Sequence, residues 1–372
     1  MSFITPYAII DLVKYKKNLL NIRDFLDTSV QIMVIVKANA YGHGSIELST
    51  IAERLGVKHF GVATLEEAIE LRQNKVSGEI LILGTVHPRD LDLVVIHDLT
   101  ISISSEFFIN ELNGFNKNLK FHLKIDTGLS RNGIYVHNEK DFNTIRDLII
   151  MLSKNKNLRL NGIYTHFSTA DSIENNFTDY QFDLFTRLLK HLKKSNINYG
   201  LSHCANSAAT ISKKYTHLDM VRIGLLSYGL RPVMSTNINV EPIMSIFGFV
   251  VQIKSLEIGD TVGYGMTYRA TRVMKIAIVN LGYADGINRA LSNKGYVLVN
   301  GSKAYIVGRI SMDACVIDIT NLKVEHFDKV VFVGNSGNSQ IQFNDMANLI
   351  NTIPYELMCC IGNRVSRKYI EY

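Results

Sequence analysis

The sequence predicts an α/β chain in two parts, an N-terminal (β/α)8 barrel over residues 1–237 followed by a mainly β domain over 238–372. Three observations carry that expectation. Eight apolar runs, at 32–38, 59–63, 80–84, 100–104, 119–126, 158–167, 199–205 and 218–223, alternate with segments of helical periodicity, and eight β-then-α units in a row describe a TIM barrel. From about residue 240 the pattern changes to short runs, "VMKIAIVN", "YVLVN", "AYIVG", "ACVIDI" and "VVFVG", separated by Gly, Asn and Asp, which reads as a second, β-rich domain. Finally, 372 residues with 47% hydrophobic and 20% charged side chains suffice for about two domains and a large core. No internal repeat or low-complexity linker interrupts the pattern.

Taken in order, the first run, Ile32 to Val36, is an unbroken series of β-branched residues and Met, as expected of a parallel strand covered on both faces. It places Lys37 at a strand's end. The following segment, "SIELSTIAERLG", has helical periodicity and closes on Gly56. After the second run, Thr64 and Glu67 have the spacing of a capping box ahead of "AIELRQNK". The later runs repeat this alternation up to residue 223.

Composition removes several classes of function. The net charge of +6 is small for this length and is not gathered into blocks, so no nucleic-acid groove is expected, while an acidic small substrate or cofactor remains compatible. The start, "MSFITPYAII", lacks a basic segment followed by a long apolar core, and no stretch approaches the roughly 18 apolar residues of a membrane span. A soluble, cytoplasmic protein without membrane partners is expected. The cysteines, Cys204, Cys315, Cys359 and Cys360, lack metal-ligand spacing, so no metal is expected; adjacent Cys359 and Cys360 read as buried small hydrophobes.

Barrels of this kind place their functional groups at the carboxyl ends of the strands, where Lys37 falls. A half-buried ammonium loses part of its hydration, so its pKa falls and its amine becomes available for a Schiff base; the alternative is a lysine reaching out to solvent. Phosphate is often bound by the loops after strands 7 and 8, which here read His203-Cys204-Ala205-Asn206-Ser207-Ala208-Ala209 and Arg222-Ile223-Gly224. Ser207 offers a hydroxyl at a helix start, and Gly224 allows backbone amides to approach an anion; separately, they read as a helix cap and a turn. Together with a strand-end lysine they point to a phosphorylated aldehyde, pyridoxal 5'-phosphate.

The stretch "VIVKANAYGHG" is similar to the cofactor-lysine segment of alanine racemases, and the resemblance extends over almost the full chain. It continues in order through "HLKIDTGLSRNGI", "GIYTHFSTAD", "HCANSAAT", "VRIGLLSYG", "VGYGMTY", "LGYADGINR", "GRISMD" and "PYELMCCIGNRV". The resemblance implies interconversion of L-alanine and D-alanine, D-alanine supply for peptidoglycan, and a head-to-tail homodimer whose β-domain contributes to the partner's active site. Lys37 matches the lysine that carries the cofactor and serves as one acid/base, and Tyr264 matches the second. Tyr41, Ser207, Gly224 and Tyr355 match phosphate-contacting positions, with Asn206 beside them. Tyr41 alone would read as a loop aromatic. His166 matches a histidine against the pyridine ring.

Arg222 matches an arginine at the ring nitrogen, where many enzymes using this cofactor place a carboxylate. An arginine stays a cation and can only donate, so the ring nitrogen stays unprotonated and proton exchange at Cα is favoured over transamination or decarboxylation. His203 matches the support of Arg222, though on its own it would pass for a core histidine. Arg131 matches a guanidinium that contacts the cofactor's phenolic oxygen and the substrate carboxylate. Lys124 matches a lysine found carbamylated in family members; its other reading is a strand lysine paired with Asp126. Met312 matches a carboxylate-binding position, and Tyr283 and Arg289 match the entrance, where core packing and a β-domain aromatic would be the plain readings of Met312 and Tyr283. Asn288 stands where a proline is usual, and "RVSR" where one is common. A broader amino-acid (serine) racemase and a non-catalytic pyridoxal phosphate-binding protein are the alternatives; the second domain with Tyr264 and Met312 argues against the latter.

Overall fold

The first strand, β1 (Tyr7–Asp11), pairs with strands from the far end of the chain, antiparallel to Met244–Phe247 and parallel to Ser366–Ile370. In this computed structural model, which describes residues 4–112, 114–172, 176–232 and 238–371, the chain divides into two units. One holds the chain up to Lys14, Tyr41–Gly44 and the chain from Pro242 on; the other holds Tyr15–Ala40 and Ser45–Glu241. Compared with the division at 237/238 read from sequence, the main boundary falls at 241/242, and the N-terminal segment with its strand and the short loop at 41–44 go with the later part of the chain. Local pattern cannot reveal it, because the strand's partners are distant in sequence.

The barrel unit contains β2 (Gln31–Ile35), β3 (His59–Val62), β4 (Glu79–Ile82), β5 (Thr100–Ile103), β6 (Leu119–Asp126), β7 (Ile134–Tyr135), β8 (Leu158–Tyr164), β9 (Leu201–His203) and β10 (Met220–Ile223). All ladders are parallel, in the order β10-β2-β3-β4-β5-β6-β8-β9, with β7 beside β6. Each of the eight apolar runs is a strand of this sheet. The seam between β9 and β10 is bridged by backbone bonds from Asp219 N to Ser202 O (3.1 Å) and Arg222 N to Ala205 O (2.9 Å), so the barrel is nearly closed. Strands β3, β5 and β10 are buried along their whole length, as a sheet covered on both faces requires. The covering helices show the matching apolar stripe: Phe177–Lys194 buries Gln181, Leu184, Phe185, Leu188, Leu189 and Leu192.

Directly after β2 the chain takes a helical turn, Lys37–Gly42, of the hand that L-residues avoid. Ala38, Asn39, Ala40 and Tyr41 have φ of 51 to 53°. Each non-glycine residue so placed costs about 1–2 kcal/mol. Compensation comes from Glu67, whose Oε1 accepts the Ala38 N–H at 2.6 Å, and from Asn39, whose Oδ1 accepts the Ser45 N–H at 2.8 Å. Glu67 is also the third residue of the capping box expected from sequence: the Thr64 hydroxyl accepts from Glu67 N, while Glu67 Oε2 accepts from Thr64 N and Ala63 N.

The other unit is built on β1, β11 (Met244–Leu256), β12 (Thr261–Val262), β13 (Tyr268–Arg269), β14 (Met274–Val279), β15 (Tyr296–Val299), β16 (Ser302–Tyr305), β17 (Cys315–Asp318), β18 (Lys329–Ser336), β19 (Ser339–Ile341) and β20 (Ser366–Ile370). Its main sheet runs β16-β15-β18-β11-β1-β20, and β14 joins β11 to β17. The long central strand β11 carries no clear alternation and went unrecognised in the sequence. Cys359 and Cys360 are exposed, correcting their expected burial: they end a helix of which Leu357 and Met358 form the buried side.

Thr64→Ala is expected to lower stability by about 1 kcal/mol, the usual worth of a helix cap. Glu67→Ala should lower it further, since it also orphans the Ala38 and Ala63 amides. Urea unfolding of the two variants measures both, and equal losses would show that Glu67 does nothing for the turn after Lys37.

Candidate active site

Arg222 lies in β10 and is only 4% exposed, so its five N–H donors must find acceptors inside the barrel. Nη1 donates to His203 Nδ1 (2.9 Å); Nη2 donates to Thr165 O (2.8 Å), His166 Nδ1 (2.9 Å) and Cys204 O (3.3 Å). Because arginine cannot accept, both imidazoles offer an unprotonated Nδ1 and carry their proton on Nε2. Burial, reinforced by the Arg222 charge, pushes both histidines well below the ordinary imidazole range, so they are neutral.

Beneath the guanidinium lies Tyr164, with its ring 5.2 Å from Arg222 Cζ and stacked on His203 at 4.7 Å and 7°. Its hydroxyl shares a 2.8 Å bond with Ser102, whose own proton goes to Ile82 O. Burial pushes this phenol up to about 12, although Ser102 and the Arg222 and Arg131 charges pull the other way. Lys124 Nζ stands 5.7 Å from the same ring. Burial, then the Arg131 and Arg222 charges, bring Lys124 down to about 8, with Asp126 opposing and Lys37 adding to the fall.

Asp126 is otherwise engaged. Its Oδ1 accepts from Gly128 N (2.9 Å) and Ser130 N (3.1 Å), and Oδ2 accepts from Arg131 N (3.1 Å). It thus shapes the loop that carries the exposed Arg131 rather than forming the ion pair with Lys124 considered from sequence. Lys37, half-buried after β2, adds its charge to those felt by Lys124 and His166.

The two loops singled out for phosphate meet at one hydroxyl. Asn206, not Ser207, caps the helix Ser207–Ser212, its side chain accepting from Ala209 N at 3.0 Å. Ser207 Oγ is buried and accepts from Gly224 N (3.0 Å) and Leu226 N (3.3 Å). A hydroxyl, adjacent amides and a mouth rich in cations, with a carboxylate already bound to backbone, form a donor set for an anionic cofactor. A strand-end amine supplies the group that condenses with an aldehyde. The residues fit pyridoxal phosphate.

In the β unit, Tyr41 is buried with its ring 5.7 Å from that of Tyr355; burial, then the Tyr355 and Cys359 neighbours, raise its pKa. The next residue must be glycine: Gly42 has φ +80°, and a Cβ there would lie 2.5 Å from Met358 O. Tyr264 is 71% exposed, on a short turn between Gly263 and Gly265. Tyr283 and Met312 are also exposed, and their loops are joined by bonds from Tyr283 N to Ser311 O and from Ala284 N to Met312 O, both 3.0 Å. Met312 is therefore not core packing. Arg289 is exposed on a turn capped by Asn288, which accepts from Ala290 N at 2.9 Å. An asparagine cap thus occupies the position where a proline was expected.

Sequence reasoning missed Tyr164, the bond from Ala38 N to Glu67, and His122. The last had a faint signal: His122 precedes Lys124 by two residues in "HLKID", and on a strand that spacing puts both side chains on one face.

A nearly closed barrel with a half-buried lysine after its first strand and two loops meeting at a buried hydroxyl, in a chain that continues into a β-rich unit, fits a class of enzyme that uses pyridoxal phosphate. Two family models, "Alanine racemase, N-terminal domain" and "Alanine racemase, C-terminal domain", match residues 10–232 and 243–369. An alanine racemase of Methanococcus maripaludis is 37% identical, covering 98% of each chain, and that of Halothermothrix orenii is also 37% identical, covering 98% of this chain and 96% of the relative. Among solved structures, the alanine racemase of Bacillus anthracis with bound L-Ala-P superposes with a TM-score of 0.92 at 33% identity, covering 99% of this chain and 95% of that one. The chain belongs to the alanine racemase family.

Burial also brings His122 down to about 4, against an ordinary value of 6.5. Between these values the unfolded chain binds more protons than the folded one, so stability is fully present above about pH 6.5 and falls as pH drops towards 4. His122 alone accounts for a loss of about 3 kcal/mol, and His166 and His203 act in the same direction. Urea midpoints measured from pH 7.5 to 4.5 should fall steadily; a flat profile would contradict neutral buried imidazoles.

Proposed function

We propose that this chain interconverts L-alanine and D-alanine in the cytoplasm, using pyridoxal 5'-phosphate and two acid/base groups on opposite faces of Cα, and that it supplies D-alanine for peptidoglycan. The observation that carries the reading is Arg222, a buried, permanently cationic donor within a chain of this family. When bound, the cofactor supplies an electron-withdrawing ring that acidifies the Cα–H bond of an amino acid attached to it. A pyridine nitrogen hydrogen-bonded to Arg222 keeps its lone pair, since the guanidinium has no proton to give up, and this restrains electron withdrawal in favour of simple proton exchange.

The roles divide by chemistry. Lys37 holds the aldehyde and takes or returns a proton on one face, while the Tyr264 hydroxyl serves the other. Ser207, Gly224, Tyr41 and Tyr355, with Asn206 shaping the loop, would hold the phosphate, and His166, neutral, would face the ring. Arg131 and Met312 receive the substrate carboxylate, with Lys124 placed to orient Arg131, and Tyr283 and Arg289 line the entrance. Supporting a shared site, Tyr264, Met312 and Tyr283 are 71%, 51% and 42% exposed in the single chain, as residues given to a partner's site would be. A head-to-tail homodimer then has two equivalent sites, each with a Lys37 and a borrowed Tyr264. Among the described residues no helix is long and apolar enough to cross a membrane.

Incubating L-alanine with the loaded enzyme should yield D-alanine, without net pyruvate or carbon dioxide. Borohydride should fix the cofactor to Lys37, and Lys37→Ala should abolish both the adduct and at least about 10³-fold of the turnover. A reducible adduct that survives Lys37→Ala, or pyruvate as main product, would overturn the assignment.

Inactive Lys37→Ala and Tyr264→Phe proteins, mixed under conditions that exchange subunits, should regain activity towards half that of the wild-type dimer. Each mixed dimer has one intact site and one doubly defective site. If exchange is demonstrated and activity stays absent, Tyr264 acts within its own chain.

A further inference from the structure

The hydrogen bonds that leave Arg222 do not stop at His203. His203 Nε2 lies 2.8 Å from His122 Nδ1, and His122 Nε2 faces Glu79 Oε1 at 3.8 Å. Glu79 opens β4; its Oε1 accepts from Thr100 Oγ1 (3.0 Å) and Asn161 Nδ2 (3.4 Å), and its Oε2 faces His59 Nδ1 at 3.7 Å. His59 Nε2 in turn donates to Gln31 Oε1 at 2.6 Å. Gln31 and His59 line a cavity of about 680 Å³, so the chain of polar groups runs from the arginine to an open end.

The direction of this chain is fixed at its origin. Arg222 can only donate, so His203 Nδ1 must accept and its proton must sit on Nε2. That proton is donated to His122 Nδ1, which places the His122 proton on Nε2, aimed at Glu79. His122 Nε2 is buried without a hydrogen-bond partner, leaving the carboxylate as the negative charge it faces. Burial alone would raise the Glu79 pKa, but His122, the Thr100 and Asn161 bonds and His59 outweigh it and hold the carboxyl below its ordinary value. The backbone makes room for the middle link: a Cβ on Gly162 would lie 2.6 Å from both Nδ1 and Cε1 of the His122 ring.

We propose that Glu79 is a positioning residue for Arg222, its carboxylate serving as the distant counter-charge that anchors the far end of the hydrogen-bond chain running through His122 and His203 to the guanidinium. The relay's direction belongs to the protein alone. Its effect on turnover rests on the racemase reading above, because Arg222 is the group it orients.

The ring nitrogens of His122 and His203, followed by 15N NMR at pH 7.5 in wild-type and Glu79→Gln protein, test the relay without reference to activity. Expected in the wild type are unprotonated Nδ1 and protonated Nε2 on both rings; in Glu79→Gln both rings should keep that tautomer, which Arg222 imposes, while their Nε2 resonances shift as the chain of bonds loosens, His203 included, although it does not touch Glu79. With cofactor bound, kcat for alanine should fall on the order of tenfold in Glu79→Gln, with KM within about twofold. His122→Phe, which cuts the middle link, should reproduce the kcat loss. A wild-type His122 protonated at Nδ1, or ring shifts unchanged in Glu79→Gln, would overturn the relay. Altered ring shifts with unchanged kcat would overturn the positioning role. Expected ring shifts in a protein that does not racemise alanine would leave the relay standing and sink the racemase reading.

Discussion

A guanidinium buried in a barrel has no freedom to compromise: it is charged at every accessible pH and has donors only. Around Arg222 the structure is arranged as a set of acceptors. Two carbonyls, Thr165 O and Cys204 O, and two imidazole nitrogens take its N–H groups, and its own backbone N–H helps bridge the seam of the barrel through Ala205 O. Removing a partner from a buried charge costs about 3–5 kcal/mol, because the remaining charge is left unsatisfied. The tautomers of His166 and His203 follow from that one side chain, and its charge adds to burial in keeping both imidazoles neutral.

The mouth above Arg222 is built against stability. Lys37, Lys124, Arg131 and Arg222 are like charges, and burial first, then the Arg131 and Arg222 charges, bring Lys124 down to about 8, while Asp126 spends its oxygens on backbone amides. The turn after Lys37 adds four non-glycine residues in the left-handed region. Strain of this kind persists only where neighbours over-determine it, and Glu67 and Asn39 do so here. A fold that tolerates both costs gains a preorganised cationic pocket, in which an anion is stabilised without reorganisation.

Much of the barrel was legible because buried parallel strands have a strong, local signal: an apolar run such as Ile32 to Val36 has few other uses. The capping box at Thr64 was legible for the same reason. What could not be read depends on contacts between distant residues. Strand β1 has no partner nearby in sequence, and "KANAYG" carries only Asn39 and Gly42 as residues at ease with positive φ. Lys37, Ser207 and Gly224 were reached from their places at strand ends, while the other candidate site residues came through resemblance. Ser207 looked like a cap until Asn206 was seen to fill that role. Glu79 was invisible, since a glutamate opening a strand usually faces water, and His122 had only the faint signal of its spacing to Lys124, since a strand histidine is usually core.

The two units hold complementary halves of the chemistry. The barrel unit carries donors whose direction is fixed by burial, while the β unit carries Tyr264 on a turn of positive φ: Gly263, Gly265 and Met266 have φ of 69°, 72° and 47°. An exposed tyrosine on an ordinary loop would sample many orientations and lose that freedom on entering a site. The flanking glycines adopt these angles without strain and leave the turn adaptable, and only Met266, a non-glycine at φ 47°, restricts it. An exposed hydroxyl on a glycine-flanked turn can be aimed by whatever comes to cover it, which is what the shared site proposed above would ask of Tyr264.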